Sequence, residues 1–325
     1  MRLARYERAG QARLAMVAGG ELLDILDALD ALDVIGDTGG DAPAHARAWF
    51  SDMTALIEAG PAGEEILHRA ARADIARAPL GAARLLAPIM PGIILCSGEN
   101  YWDHREEKPE VTAKEPEFFI KIPATGVIGP GDDILWDPAV TQKLDYETEL
   151  AIVIGKAGRH IPEDRAGEHI FGYTIMNDVT ARDRQVKMRP DGSCQYALGP
   201  GKNFDSCAPL GPVIVTADEI AEPQNLALST LVNGELRQNN STAKMIWGVA
   251  GLVHFFSTFL TLQPGWVIST GTPGGTAWAA DPELGGRPYE RPDLVRASGY
   301  LQAGDEISCR IEMIGELRNQ VARTD

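Results

Sequence analysis

Leu144-Asp145-Tyr146-Glu147-Thr148-Glu149-Leu150-Ala151-Ile152-Val153-Ile154-Gly155-Lys156 joins an acidic alternation to an apolar run. In an extended chain successive side chains point to opposite faces, so Asp145, Glu147 and Glu149 share one. Leu150 to Ile154 is apolar throughout, the pattern of a strand buried on both sides. Taken alone, E-x-E is a weak motif, because a solvated strand end explains a single acid. Several like charges on one face repel, and a bound cation resolves that conflict. Asp178 follows the strand pattern Tyr173 to Asn177, which places another acid at a strand end. Oxygen-only ligands predict a hard ion, Mg²⁺, Mn²⁺ or Ca²⁺.

Short apolar runs flank this segment. Ile93 to Cys96, Phe118 to Lys121, Tyr173 to Met176 and Val213 to Val215 read as strands, as do Ala227 to Val232, Trp266 to Ser269 and Glu306 to Glu312. Helices are expected at Thr180 to Lys187 and Ile246 to Phe259. Many strands between Gly and Pro turns predict a β-rich α+β catalytic domain over residues 89–325. Residues 1–88 read as a small α/β domain: strands around Gly19-Gly20, a helix from Ala44 to Ala59 capped by Asp41-Ala42-Pro43, and helical periodicity over Ala62 to Ala76. Residues 276–300 carry Trp278, Pro282, Gly285-Gly286, Pro288 and Tyr289 without periodicity, the pattern of a long loop that acts as a lid or contact surface.

The 325 residues carry a formal charge of −16, which argues against nucleic acid as a partner. No apolar run is long enough to span a bilayer, and the first residues lack the apolar core of a signal peptide. The four cysteines form no C-x-x-C pair, so neither a zinc site nor a disulfide framework is suggested. A cytoplasmic protein is the simplest reading.

The segment Leu144 to Lys156 resembles the signature of the fumarylacetoacetate hydrolase family. So does Phe171-Gly172-Tyr173-Thr174-Ile175-Met176-Asn177-Asp178-Val179-Thr180-Ala181-Arg182-Asp183-Arg184-Gln185. Gly98-Glu99-Asn100-Tyr101-Trp102-Asp103-His104, Gly201-Lys202-Asn203-Phe204-Asp205, Val232-Asn233-Gly234-Glu235 and Ser269-Thr270-Gly271-Thr272-Pro273-Gly274-Gly275 match as well, in the family's order. The resemblance covers roughly residues 92–315. It implies a rolled mixed β-sheet, a homodimer, and Glu147, Glu149 and Asp178 as ligands of Mg²⁺, Mn²⁺ or Ca²⁺. It implies a catalytic set of His104, Glu107 and Lys202. Arg182, Gln185, Thr272 and Tyr101 are implied to line the substrate site.

These roles are chemically sensible. A carboxylate three residues from a histidine meets it on a helical turn, fixes its tautomer and raises its basicity. Lys202 is a point charge suited to a developing enolate or a carboxylate. An exposed polar turn would equally explain the charges between Asp103 and Lys108, and an ion pair with Asp178 or Asp183 would explain Arg182. The resemblance implies a metal-dependent hydrolase that cleaves a C–C bond in a small 2,4-dioxo acid through an enolate, in aromatic or related catabolism. Isomerisation or decarboxylation of 2-oxo dioic acids, and dehydration of 2-oxo-3-deoxy sugar acids, use the same machinery. Glu99, the Lys121-Ile122-Pro123-Ala124-Thr125 stretch and residues 276–300 depart from the family pattern, where substrate choice is expected to be made.

Overall fold

The computed structural model describes residues 1–31, 46–107 and 114–324. The chain opens with an antiparallel meander of β1 (Arg2–Arg8), β2 (Gln11–Ala18) and β3 (Glu21–Asp24). The helices α1 (Ile25–Ala31) and α2 (Met53–Ala70) follow. Then come β4 (Ile94–Gly98), the short helix α3 (Trp102–Glu106), β5 (Glu117–Lys121), β6 (Asp133–Trp136), β7 (Thr148–Ile154) and β8 (Ile170–Asn177). Two single turns, α4 (Arg182–Gln185) and α5 (Leu198–Lys202), precede β9 (Ala208–Thr216), β10 (Ala227–Val232) and β11 (Glu235–Ser241). The chain finishes with α6 (Val249–Phe259), β12 (Val267–Ser269), β13 (Glu306–Ile311) and β14 (Gly315–Arg323).

One long mixed sheet runs β3-β2-β1-β9-β8-β7-β12-β4-β5, antiparallel except for the β12–β4 pair. A second runs β11-β10-β13-β14-β6. The central strand β7 is buried at all seven positions, as its apolar run predicts. Leu150, Ile152 and Ile154 join a core between the two sheets, together with Trp136, Leu228, Ile307 and Leu317. Ala151 and Val153 point the other way, into a core shared with Leu29, Leu56 and Leu67 of the leading helices. Burying an aliphatic side chain of this size is worth about 1.5–3 kcal/mol. β7 is therefore clamped from both faces, and the acids at its start are held as firmly as its interior.

Several expected boundaries shift. Thr180 to Lys187 is not one helix: only Arg182–Gln185 is helical, between strand pairings at Thr180–Ala181 and Val186–Met188. The helix expected from Ile246 begins at Val249, after Gly248. The Asp41-Ala42-Pro43 cap lies outside the described residues. The described part of the helix expected over Ala44 to Ala59 starts as a tight turn, Ala46–Phe50, and α2 starts anew at Met53. There Asp52 Oδ1 accepts from the Ala55 N–H at 3.0 Å and supplies the cap. α2 then continues through a non-helical Gly60 to Ala70, short of Ala76. The sheet also crosses the expected boundary near residue 88, since β1 pairs with β9 through Arg2–Val215 and Leu3–Ile214.

Candidate active site

The antiparallel pairing of β7 with β8 sets Thr148 opposite Asn177 and Glu149 opposite Met176. The ladder extends one step further, where the Asp178 N–H donates to the Glu147 carbonyl at 2.8 Å. This register gathers Glu147, Glu149 and Asp178, whose carboxylate oxygens lie within 4.8 Å of one another. All three are buried. Ser269 Oγ and the Gly271 N–H, the latter at 2.9 Å, donate to Glu149 Oε2 at the end of β12.

Asp145 is not part of this group. Its carboxylate accepts from Arg182 Nε at 2.7 Å and from the backbone N–H groups of Ala277 and Trp278 at 2.9 and 3.0 Å. The chain departs from a continuous strand between Asp145 and Thr148, so the expected alternation over three acids breaks there.

Nor does the acid cluster stand alone against its own repulsion. Lys202 Nζ lies 2.7 Å from each of Glu147 Oε2, Asp178 Oδ2 and Thr180 Oγ1. Arg182 Nη2 donates to Glu147 Oε1 at 2.5 Å, and its Nη1 to Gln185 Oε1 at 2.9 Å. Lys121 Nζ donates to Asp178 Oδ1 at 2.5 Å and to the Val179 carbonyl at 3.1 Å. Three cations thus face four carboxylates, counting Asp145. Arg182 pairs with Asp145 and Glu147, whereas Asp183 accepts from Thr141 and the Gln142 N–H.

The protonation pattern follows from these contacts. Burial opposes charge on Glu147, but Lys202 and Arg182 outweigh it and hold its carboxyl far below the usual range. Glu149 goes the other way, because burial and the charges of Asp178 and Glu147 push it well up. A cation among the three oxygens would relieve that penalty. Three buried carboxylates with no sulfur or nitrogen among them fit a hard divalent ion.

His104 and Glu107 sit on and just after α3. His104 Nδ1 lies 2.7 Å from Glu107 Oε2, and both residues are buried. Burial disfavours the imidazolium, but the Glu107 carboxylate outweighs it and raises His104 above its ordinary value. Glu107 also accepts from the Gly275 N–H at 2.5 Å and from Thr276 Oγ1 at 3.1 Å. A Cβ on Gly275 would come within 2.1 Å of the Arg237 carbonyl, and its φ of +105° also favours glycine. His104, the three carboxylates, Lys202, Arg182, Gln185 and Thr272 line one cleft.

Two expected contacts differ. Tyr101 lies outside the cleft lining, fully buried in the core between the sheets, with no partner for its hydroxyl among the described residues. Thr272 lines the cleft, but its hydroxyl donates to the Thr148 carbonyl at 3.1 Å and accepts from Gln238 at 2.9 Å. Lys121 and Trp278 were not among the expected site residues. The alternation in Phe118-Phe119-Ile120-Lys121 held a signal, since it puts Lys121 on the same face as buried Phe119. The Trp278 ring meets His104 edge-on at 6.2 Å, and the Arg182 guanidinium lies 5.5 Å above it. No periodicity marks a loop tryptophan for such a role.

Residues 93–322 match the family model described as Fumarylacetoacetate (FAA) hydrolase C-terminal. The chain belongs to the fumarylacetoacetate hydrolase family. Among this family's proteins, human "Oxaloacetate tautomerase FAHD2A, mitochondrial" is 38% identical over 270 residues, 83% of this chain and 79% of that protein. The fumarylacetoacetate hydrolase of the psychrophile Exiguobacterium antarcticum superposes with a TM-score of 0.72 at 35% identity, covering 100% of both chains. Maleylpyruvate hydrolase from Sphingobium sp. SYK-6, solved with manganese(II) and pyruvate, gives 0.71 at 27% identity and the same coverage. Hydrolases and a tautomerase thus share this family fold, a β-rich α+β architecture. Among the described residues no helix is long and apolar enough to cross a membrane.

Proposed function

We propose that this protein is a divalent-metal-dependent tautomerase of small 2-oxo diacids of the oxaloacetate type. The observation that carries the reading is His104, held from behind by buried Glu107, lining the same cleft as Glu147, Glu149, Asp178 and Lys202. Glu147, Glu149 and Asp178 would hold Mg²⁺ or Mn²⁺. Such an ion would act as a Lewis acid on a 2-oxo group and the carboxylate beside it.

The chain's own residues supply the proton chemistry. Glu107 occupies Nδ1 of His104, which leaves Nε2 as the base. In the keto-to-enol direction Nε2 takes a proton from C3, the electron pair forms the C2=C3 bond, and the carbonyl oxygen takes up negative charge. Lys202 stabilises that charge, a kind of contribution worth about 2.7–4 kcal/mol. The His104 imidazolium returns its proton to solvent, water protonates the oxygen to complete the enol, and the reverse sequence returns the keto acid. The 38% identity to a protein named as an oxaloacetate tautomerase supports this reaction over C–C cleavage.

Hydrolysis of an acylpyruvate is the second reading, supported by the maleylpyruvate hydrolase likeness. There His104 would deprotonate water instead of carbon. The deciding experiment follows the decay of freshly dissolved enol-oxaloacetate, and pyruvate release from acylpyruvates, with the Mg²⁺-loaded protein. Accelerated enol decay without pyruvate release supports tautomerisation. Buffer-rate enol decay alongside acylpyruvate cleavage overturns it in favour of hydrolysis.

A further inference from the structure

Residues 276–300 do not lie apart from the chemistry. After Trp278 the segment turns back at Gly286, where a Cβ would come within 1.9 Å of the Trp278 carbonyl. It then passes along the outside of α3. The Arg287 N–H donates to the Glu107 carbonyl at 2.7 Å. Tyr289 OH donates to Asp103 Oδ2 at 3.0 Å, and Asn240 Nδ2 donates to the same oxygen. The Tyr289 ring lies over Gly274, where any Cβ would be 2.9 Å from it. Further on, Arg291 Nη1 donates to the Asn239 carbonyl at 2.5 Å, and the Val295 N–H to the Leu236 carbonyl at 2.8 Å. The far end of the segment is thus fastened to β11, which belongs to the second sheet.

A five-residue helix has little intrinsic stability, because nucleation is costly and short helices rarely persist alone. α3 has no side-chain cap at Tyr101. Its placement must come from what grips it. Asp103 and Glu107 bracket His104 in sequence, and this segment contacts both. We propose that residues 276–300 are a clasp that sets the His104–Glu107 pair over the cleft, with Tyr289 as its positioning residue. The hydroxyl of Tyr289 holds one end of α3, the Arg287 amide holds the other, and β11 supplies the rigid anchor. Neither group needs to touch substrate.

The proposal rests on the tautomerase reading only in its rate measurement. Tyr289→Phe removes the hydroxyl and keeps the ring on Gly274. In hydrogen–deuterium exchange, amides of residues 102–107 should exchange about fivefold faster than in the wild type, while those of β10 stay unchanged. Turnover of enol-oxaloacetate should fall about tenfold, since small misplacement of a reacting group is costly. Adding Tyr289→Phe to Asp103→Ala should change little, because Asp103→Ala already removes the Tyr289 contact along with that of Asn240. Tyr300→Phe serves as the control: its hydroxyl, in the same segment, bonds Asp281 rather than α3. Wild-type exchange at residues 102–107 in Tyr289→Phe would overturn the clasp, as would equal acceleration in Tyr300→Phe. Faster exchange without any enol turnover by the wild type keeps the clasp and removes the tautomerase.

Discussion

At His104 the question is which proton moves and when. With Glu107 on Nδ1 raising its basicity, His104 must lose its proton before it can act as base. The kcat/KM profile should therefore rise with pH, with a midpoint above the ordinary histidine value of about 6.5. Glu107→Gln removes the charge that raises it, so the midpoint should move down; an unchanged midpoint would assign the titration elsewhere. His104→Ala should lower kcat by about 10²–10⁴-fold while leaving metal affinity near wild type, measurable by calorimetry. Combining it with Glu107→Gln should add little, since the pair acts as a unit. Lys121 makes a different prediction. It is fully buried against Asp178 Oδ1, so Lys121→Met leaves that oxygen without its donor while Lys202 stays on Oδ2, and should cost about 1–3 kcal/mol in urea unfolding without metal. No measurable loss would show that Lys202 alone satisfies Asp178. The spacing makes Glu147, Glu149 and Asp178 legible in the sequence, whereas Lys202 is reached only through the resemblance of Gly201 to Asp205 to the family. The alternation around Lys121 marks only its buried face, and the roles of Asp145 and Trp278 depend on partners tens of residues away.

Among the elements, β7 was the most readable: an unbroken apolar run has few places to go except the middle of a layered core. The turns after β8 were the least readable. Arg182-Asp183-Arg184-Gln185 has good helix formers, yet pairing of Thr180–Ala181 with Leu144–Asp145 on one side, and of Val186–Met188 with Cys194–Tyr196 on the other, cuts the helix to a turn. Tertiary pairing overrides propensity here. The Gly275 corner is as demanding as any element. Gly275→Ala would drive a methyl into the Arg237 carbonyl and pull the N–H away from Glu107. We expect about 1–3 kcal/mol of lost stability and a fall in turnover beyond what the lost folded fraction explains. Wild-type melting and rate would show that the corner relaxes freely.

For the whole molecule, charge balance sets the metal requirement. The three cations pair with Asp145, Glu147 and Asp178, while Glu149 is held by Ser269 and the Gly271 N–H; a divalent ion that draws Glu149 into its charged form would leave the site positive toward an anionic substrate. Excess chelator should abolish activity, and Mg²⁺ or Mn²⁺ should restore it; full activity in chelator, with no metal in the protein, would sink the proposal. The surface carries its own prediction. Phe118 and Ile120 of β5, and Ile122 just past it, stand exposed where the long sheet ends among the described residues, and Phe118 meets Phe255 edge-on and Phe259 at a tilt on α6. An apolar edge of this kind asks to be covered, and we propose a homodimer. Light scattering that returns the monomer mass at micromolar concentration would rule it out. The composition told of an acidic globular chain, but the residues at this edge alternate with Phe119 and Lys121, so their exposure shows only once the strand's buried face is known.

The pairing of β1 with β9 has a consequence for biosynthesis. Leu3 leaves the ribosome more than two hundred positions before its partner Ile214. Leu86 and Leu85 cover Arg5 and Tyr6 on that side sooner, but the Arg2–Leu3 end of β1 waits with an open edge during translation. Closing so long a loop is entropically slow, and such edges are where nascent chains stick to one another. Completion of this sheet should therefore come late in the protein's life on the ribosome, and its yield in cells should respond to chaperone supply and to translation speed.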